Sequence, residues 1–149
     1  MTGAQDSPYR NGLFYLKVIF PDNYPNRAPE VCFITPIYHI NVNHISSEYC
    51  PLGYISISTL NRFSPNTNMR EVFYDIFVVI NYLGDPRDPF GLDRAEEMRN
   101  NRQLYEEKIR YFTKKYAAIN IDQKEYQSWD FTYNCKWKKD LLIDVNLFK

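Results

Sequence analysis

Two residues in the first half of the chain could act as nucleophiles close to a histidine. Cys50 lies 11 positions after His39, and Ser56 follows six positions later. A cysteine thiol has a reference pKa of about 8.5, so a useful fraction is thiolate near neutral pH. A serine hydroxyl becomes nucleophilic only beside a general base, and no base motif accompanies Ser56. The sequence therefore predicts thiol chemistry if Cys50 is the reacting residue. It predicts a catalytically inactive site if Ser56 stands at the position of the nucleophile.

The segment before these residues predicts two short strands. Residues 13–20 alternate so that Phe14, Leu16, Val18 and Phe20 share one face, and proline at position 21 ends the strand because it lacks the ladder donor. Residues 31–35 predict a second strand, in which Cys32 is a small half-buried hydrophobe.

Helices are predicted in the second half of the chain. Residues 66–83 form one helix, capped by Thr67 or Asn68. Two more segments lie within residues 92–117, the first over 93–98 and the second after Asn101, with Glu107 and Lys108 on its solvated face. The apolar stripes predicted to face the core are Val72, Phe73, Ile76, Phe77, Ile80 and Leu83 in the first helix, and Leu104, Tyr105, Ile109, Phe112 and Tyr116 in the last.

Three runs in order carry a family resemblance: F-Y-L-K-V-I-F-P-D-N-Y-P (14–25), A-P-E-V-C-F-I-T-P-I-Y-H-I-N-V-N (28–43) and G-Y-I-S-I-S-T-L-N-R-F-S-P (53–65). Together they resemble the core of ubiquitin-conjugating enzymes. The resemblance implies an α/β (α+β) domain of the UBC fold over residues 1–117, a small antiparallel sheet flanked by helices.

Two alignments are open at the position of the family's catalytic cysteine. Matching G-Y-I-S-I-S-T-L to the family's G-x-I-C-L-x-x-L places Gly53, Ile55 and Leu60 correctly and puts Ser56 at the cysteine position. Residues 44–52 are then an insertion. The other alignment makes Cys50 the nucleophile. The strand pattern after Gly53 favours Ser56, and so predicts a relative without the catalytic thiol.

The resemblance implies roles for three further residues, vestigial if the thiol is absent. His39 shapes the loop by hydrogen bonding. Asn41 stabilises the oxyanion during attack on the thioester, and Asp88 helps to deprotonate the incoming lysine. One departure is Asn26, which replaces the phenylalanine that anchors ligases in the family and predicts a solvated loop.

The two ends of the chain also depart from the family. The family's first helix does not precede Gly3, which argues against ordinary conjugation. Residues 118–149 form an extension too rich in aromatic residues for a disordered tail, and it either docks on a partner or packs on the domain. Its candidate partner-binding residues are Tyr126, Trp129, Phe131, Tyr133, Trp137 and Phe148.

Composition narrows the remaining classes. The formal net charge is zero, so no electrostatic footprint for nucleic acid is visible. The three cysteines are widely spaced, which argues against a zinc site or a disulfide framework and predicts reduced thiols, with no cofactor. No transmembrane run, signal peptide or transit peptide is visible. The expected location is intracellular, cytoplasmic by default, although an organellar or cytoskeletal assembly is compatible with the sequence.

Three functional hypotheses follow. The first is a non-catalytic relative that serves as a structural or binding subunit of a larger protein assembly. The second is an active conjugating enzyme that uses Cys50, with Asn41 and Asp88 in the family's roles. The third is an inactive variant that assists an active conjugating enzyme. The expected partners are other protein subunits, with ubiquitin or a ubiquitin-like protein as a further candidate.

Overall fold

The computed structural model describes residues 1–45, 47, 50–84, 86 and 90–118. In these residues the chain forms a two-stranded antiparallel sheet and four helices, which confirms the predicted mixture of a small sheet and flanking helices. The strands are β1 (Leu16–Ile19) and β2 (Glu30–Phe33), and the helices are α1 (Ser58–Asn61), α2 (Met69–Asn81), α3 (Leu92–Asn100) and α4 (Arg102–Tyr116). The division at residue 117 remains a prediction, because residues 119–149 lie outside the described part.

The sheet is built from the two predicted strands, in a register that pairs Leu16 with Phe33 and Val18 with Val31. Phe14 is buried, and Leu16 and Val18 pack against the core from the same face, as the alternation predicts. Phe20 is the exception, since it lies beyond the end of β1, is half exposed and contacts the Tyr24 ring edge to face.

Helix α2 turns one face to the core, where three predicted positions, Val72, Ile76 and Ile80, are buried in one cluster with Val31 and Phe33 of β2. The prediction for Phe73 and Phe77 is wrong. Their side chains are 39% and 37% exposed, because the buried stripe is narrower than the six-residue pattern suggested.

Helices α3 and α4 pack on each other, and α4 adds its buried face to the core. Tyr105, Ile109 and Phe112 on α4 are buried as predicted, whereas Leu104 and Tyr116 are half-buried. Lys108 does not lie on a solvated face. It is buried and forms an ion pair with Glu97 of α3, so a tertiary partner overrides its place in the charge pattern.

The hairpin of residues 2–13 joins the start of the chain to these helices. Asn11 has a φ of 63°, a conformation suited to the Asn-Gly bend. The Ala4 backbone N–H donates to the Asn81 side chain at the end of α2, and Leu13 N–H donates to the carbonyl of Ala117 just after α4. The hairpin therefore connects the ends of α2 and α4.

The Asn68 side chain accepts a hydrogen bond from the Arg70 N–H at 2.9 Å and so caps α2. Replacing Asn68 with alanine should lower the free energy of unfolding by about 1 kcal/mol, because the first turn loses an acceptor. Urea denaturation measures the change. Asn66→Ala, an exposed asparagine that does not cap the helix, is the matched control. An equal loss in both variants would contradict the assignment.

Candidate functional site

The site forms around residues 38–41, whose backbone is held by side chains from distant parts of the chain. The Tyr9 hydroxyl donates to the carbonyl of Tyr38 at 2.8 Å, and the Tyr105 hydroxyl accepts from the N–H of Ile40 at 3.0 Å. Arg94 donates to the carbonyl of His39 at 3.2 Å. Buried backbone groups need such partners. These side chains hold the loop at Ile40, the position at which the family that this chain resembles has a proline.

His39 is fully buried, and backbone groups occupy both of its ring nitrogens. Nδ1 accepts from the N–H of Asn41 at 3.0 Å, and Nε2 donates to the carbonyl of Val79 at 3.1 Å. Burial lowers the pKa of His39 from 6.5 to about 4, so the imidazole is neutral at physiological pH. Its contacts are those of a residue that shapes the loop, and neither nitrogen is available as a general base.

Asn41 is buried, and its side chain lies beside Gly84, three residues after the end of α2. Its Oδ1 would lie only 2.2 Å from a Cβ placed on Gly84, which has a φ of +83°. The Asn41 side chain thus packs against the start of the segment that contains Asp88. Asp88 itself lies outside the described residues, so its predicted role at an acidic gate remains a prediction.

Backbone hydrogen bonds join the residues before and after segment 44–52. Gly53 N–H donates to the carbonyl of Asn43, and Asn43 N–H donates to the carbonyl of Tyr54, both at 2.8 Å. Val42 bridges Ile55, and Ser56 N–H donates to the carbonyl of Asn41 at 3.0 Å. Residues 53–56 therefore pair directly with 41–43, and the looped-out segment between them, described at residues 44, 45, 47 and 50–52, lies outside this pairing.

Ser56 is half-buried at the end of this paired segment, just before α1. Its Oγ accepts a hydrogen bond from the Asn61 side-chain amide at 3.3 Å. Within the described residues, no hydrogen bond joins Ser56 to a histidine or carboxylate. The environment supplies an amide donor, which does not activate a hydroxyl for attack.

Cys50 lies on the looped-out segment and is partly exposed. The Asn43 side-chain amide donates to the carbonyls of Cys50 and Pro51, at 3.1 and 3.0 Å, and this anchors the end of the loop. Burial raises the pKa of the Cys50 thiol, although hydrogen bonding to the Asn43 side chain opposes the shift. A higher pKa reduces the thiolate fraction at neutral pH.

The other predicted residues fall in two groups. Asn26 is exposed in the loop between β1 and β2, as predicted. The six aromatic residues of the extension lie outside the described residues, and their partner-binding role remains a prediction. They are Tyr126, Trp129, Phe131, Tyr133, Trp137 and Phe148.

A buried polar cluster next to the loop of residues 38–41 was not predicted from the sequence. The Arg94 guanidinium lies 4.3 Å from the centre of the Tyr38 ring, and the Tyr38 hydroxyl donates to Glu97 at 2.6 Å. Glu97 also pairs with Lys108. Arg94 follows a helix start in a charged run, so its sequence context resembles that of a surface residue, and no local signal identifies it.

Comparisons with known proteins agree with this architecture. The family model described as ubiquitin-conjugating enzyme matches residues 1–113. Ubiquitin-conjugating enzyme E2 5 of Arabidopsis thaliana is 32% identical over 130 residues, which cover 87% of this chain and 67% of the relative. Ubiquitin-conjugating enzyme E2 13 of Saccharomyces cerevisiae is 37% identical over 116 residues, covering 77% and 71%.

Solved structures give the same result. The E2 domain of a Toxoplasma gondii ubiquitin conjugating enzyme superposes with a TM-score of 0.68 at 28% identity, covering 78% of each chain. A putative ubiquitin conjugating enzyme from Plasmodium yoelii gives 0.67 at 28% identity, covering 79% of this chain and 73% of the other. The chain belongs to the ubiquitin-conjugating enzyme family and has the UBC fold.

Among the described residues, no helix is both long and apolar enough to cross a membrane. Nor do the histidine, cysteine and acidic side chains of these residues form a group suited to hold a metal ion.

Proposed function

We propose that this protein is a non-catalytic member of its family that acts as a binding or structural subunit of a larger protein assembly. The observation that carries the proposal is the pairing of residues 53–56 with 41–43. This pairing supports the alignment in which Ser56 occupies the position of the family's catalytic cysteine, because residues 44–52 then form an insertion outside the shared core.

The surroundings of the two candidate nucleophiles support the same function. Ser56 contacts the Asn61 amide and no base among the described residues, whereas a reactive serine needs one. The thiol of Cys50 has a raised pKa and sits on the insertion. Both ring nitrogens of buried His39 are occupied by backbone groups, and His44, which is nearer in sequence to both candidates, pairs through Nε2 with Asp93.

Partner binding is assigned to the extension. Its six aromatic residues are of the types that anchor protein interfaces. A chain that ends at residue 118 should therefore lose most of the partners that co-purify with the full chain. Undiminished recovery of the same partners would contradict this part of the proposal.

We expect no reducible adduct when the full chain is incubated with activating enzyme, ubiquitin and ATP, because the site lacks an activated nucleophile. A non-reducing gel, with and without thiol reductant, provides the measurement. Cys50→Ala and Ser56→Ala are the matched variants, and an active relative is the positive control.

Two results would contradict this prediction. An adduct that is sensitive to reductant and lost in Cys50→Ala would make Cys50 the nucleophile. An adduct that resists reductant and is lost in Ser56→Ala would show an ester at Ser56.

The second candidate function is active conjugation through Cys50. Two observations favour it: the relatives are named as ubiquitin-conjugating enzymes, and the Cys50 side chain is partly exposed. The same gel separates this candidate from the first, since only an active enzyme gives the Cys50-dependent adduct.

A further inference from the structure

A polar cavity of about 380 Å³ lies on the far side of the hairpin of residues 2–13, and neither the family's chemistry nor the proposed function uses it. The hairpin, the end of α2 and the outer face of α4 line it. Its charged lining residues are Arg10, Arg102, Arg110, Asp6 and Glu106, and Tyr82 forms part of the wall.

The arginines of this cavity retain hydrogen-bonding capacity. Arg102 and Arg110 share one carboxylate, that of Glu106, at 3.0 and 2.9 Å. Both side chains are more than half exposed, and each guanidinium carries five donors. Three arginines stand against two carboxylates, so the lining has a positive balance suited to acidic groups, and guanidinium planes also stack on aromatic rings.

Tyr82 extends the cavity toward an aromatic surface. Its side chain is 75% exposed, and as the C-cap of α2 it lies four residues after Val78 and eight after Tyr74, on the side of the helix that carries these two residues. Tyr74 is 69% exposed. The surface that suits this site is therefore one that carries both carboxylates and aromatic rings.

The chain leaves the described domain next to this cavity. Ala118 bridges Gly12, so the last described residue lies on the same hairpin whose residues 5–8 and 10 line the cavity. Arg110 is eight residues before Ala118, or about 12 Å along a helix of 1.5 Å rise per residue. About four extended residues span that distance.

The first half of the extension has the required chemistry. Residues 119–134 contain three carboxylates, those of Asp122, Glu125 and Asp130, and one lysine, which gives a net charge of −2. The same segment contains four of the six aromatic residues. Residues 135–149 contain four lysines against two aspartates and are net positive.

We propose that residues 119–134 of the extension dock on the arginine-lined cavity of their own domain, with acidic side chains on Arg10, Arg102 and Arg110 and aromatic side chains against these arginines and Tyr82. Of the six aromatic residues assigned to partner binding, docking leaves Trp137 and Phe148, in the basic second half of the extension, to contact a partner directly. The docking does not depend on whether the site at Ser56 is catalytic.

Tryptophan fluorescence tests this directly, because the protein's two tryptophans, Trp129 and Trp137, both lie in the extension. In a full-length Trp137→Phe chain, Trp129 reports alone on the first half. We expect a blue-shifted emission and strong protection from acrylamide quenching. The double variant Arg102→Glu/Arg110→Glu should lose both, since the cavity then repels the acidic segment, and 1 M salt should weaken protection by screening.

Matched variants make the result specific. Arg27→Glu/Arg62→Glu reverses two exposed arginines outside the cavity and should keep full protection. Arg10→Glu reverses the charge from the hairpin side, in case the changes in α4 impair folding. Adding Glu125→Arg/Asp130→Arg to the Arg102→Glu/Arg110→Glu chain should restore protection.

The outcomes separate the possible occupants. Two results would overturn the proposal. One is a Trp129 that is quenched like free tryptophan in the Trp137→Phe chain with an unchanged cavity. The other is a Trp129 whose protection is unaffected both by Arg102→Glu/Arg110→Glu and by Arg10→Glu. Protection that appears only as the chain dimerises in sedimentation experiments would assign the cavity to the extension of a second copy and would also overturn it. No partner or activating enzyme is present in these measurements, so their failure is distinct from failure of the proposed function.

Discussion

Acidification from pH 6.5 to 4 should destabilise this protein by about 3 kcal/mol through His39 alone. The imidazole takes up a proton at pH 6.5 in the unfolded chain, but only at about pH 4 in the folded one. Each unit of difference corresponds to about 1.4 kcal/mol. Between these values the unfolded state binds more protons, so acid favours unfolding, whereas well above pH 6.5 both states are neutral and His39 contributes no pH dependence.

The cause of the shift is structural. Burial is the largest contribution to the low pKa, the hydrogen bond to the Val79 carbonyl opposes it, and the charge of Arg94 lowers it further. A protonated ring would also lose the bond that Nδ1 accepts from Asn41, because both nitrogens would then be donors.

Urea unfolding at a series of pH values measures the effect. His39→Gln should flatten the curve between pH 4 and 6.5 relative to the wild type. His44→Gln is the control and should flatten the curve less. Burial also lowers the pKa of His44, but its ring is only half-buried and pairs with Asp93, so its protonation adds a smaller loss of stability in acid. A wild-type curve that His39→Gln leaves unchanged would contradict the burial of a neutral imidazole.

The contacts of His39 also show where sequence reasoning works. Local patterns predicted the strands, a cap at Thr67 or Asn68 and the buried face of α4, because alternation, capping and helical periodicity act within a few residues. The resemblance predicted the loop-shaping place of His39. The groups that hold the loop come from residues 9, 94 and 105, and their meeting depends on tertiary packing that no local pattern encodes.

Two errors have the same origin. Phe73 and Phe77 satisfy a three- and four-residue spacing, yet on α2 only the stripe through Val72, Ile76 and Ile80 is buried in the core. The charge pattern of α4 predicts that Lys108 is exposed to solvent, yet Lys108 is buried and forms an ion pair with Glu97 of α3. Periodicity orders residues around a helix, but the width of the buried face is set by what packs on it.

The assignment of Ser56 depends on the register that Gly53 maintains. Gly53 has a φ of +78°, and a Cβ at this position would lie 2.2 Å from the backbone oxygen of Phe33. Its N–H and C=O both make sheet hydrogen bonds at 2.8 Å, to Asn43 and Phe33. The turn therefore needs a residue that has no side chain and can adopt a left-handed conformation.

We expect Gly53→Ala to lower the free energy of unfolding by about 3 kcal/mol, since strain at positive φ costs roughly 1–2 kcal/mol and the displaced backbone weakens two hydrogen bonds. Gly53→Asn should cost nearly as much, because asparagine tolerates the φ angle but its Cβ meets the same oxygen. Pro51→Ala, at an exposed position two residues earlier, is the control and should cost little. Thermal and urea denaturation provide the values. If Gly53→Ala were as stable as Pro51→Ala, residues 53–56 would not pair with 41–43 as described, and the case for Ser56 over Cys50 at the family's cysteine position would fail.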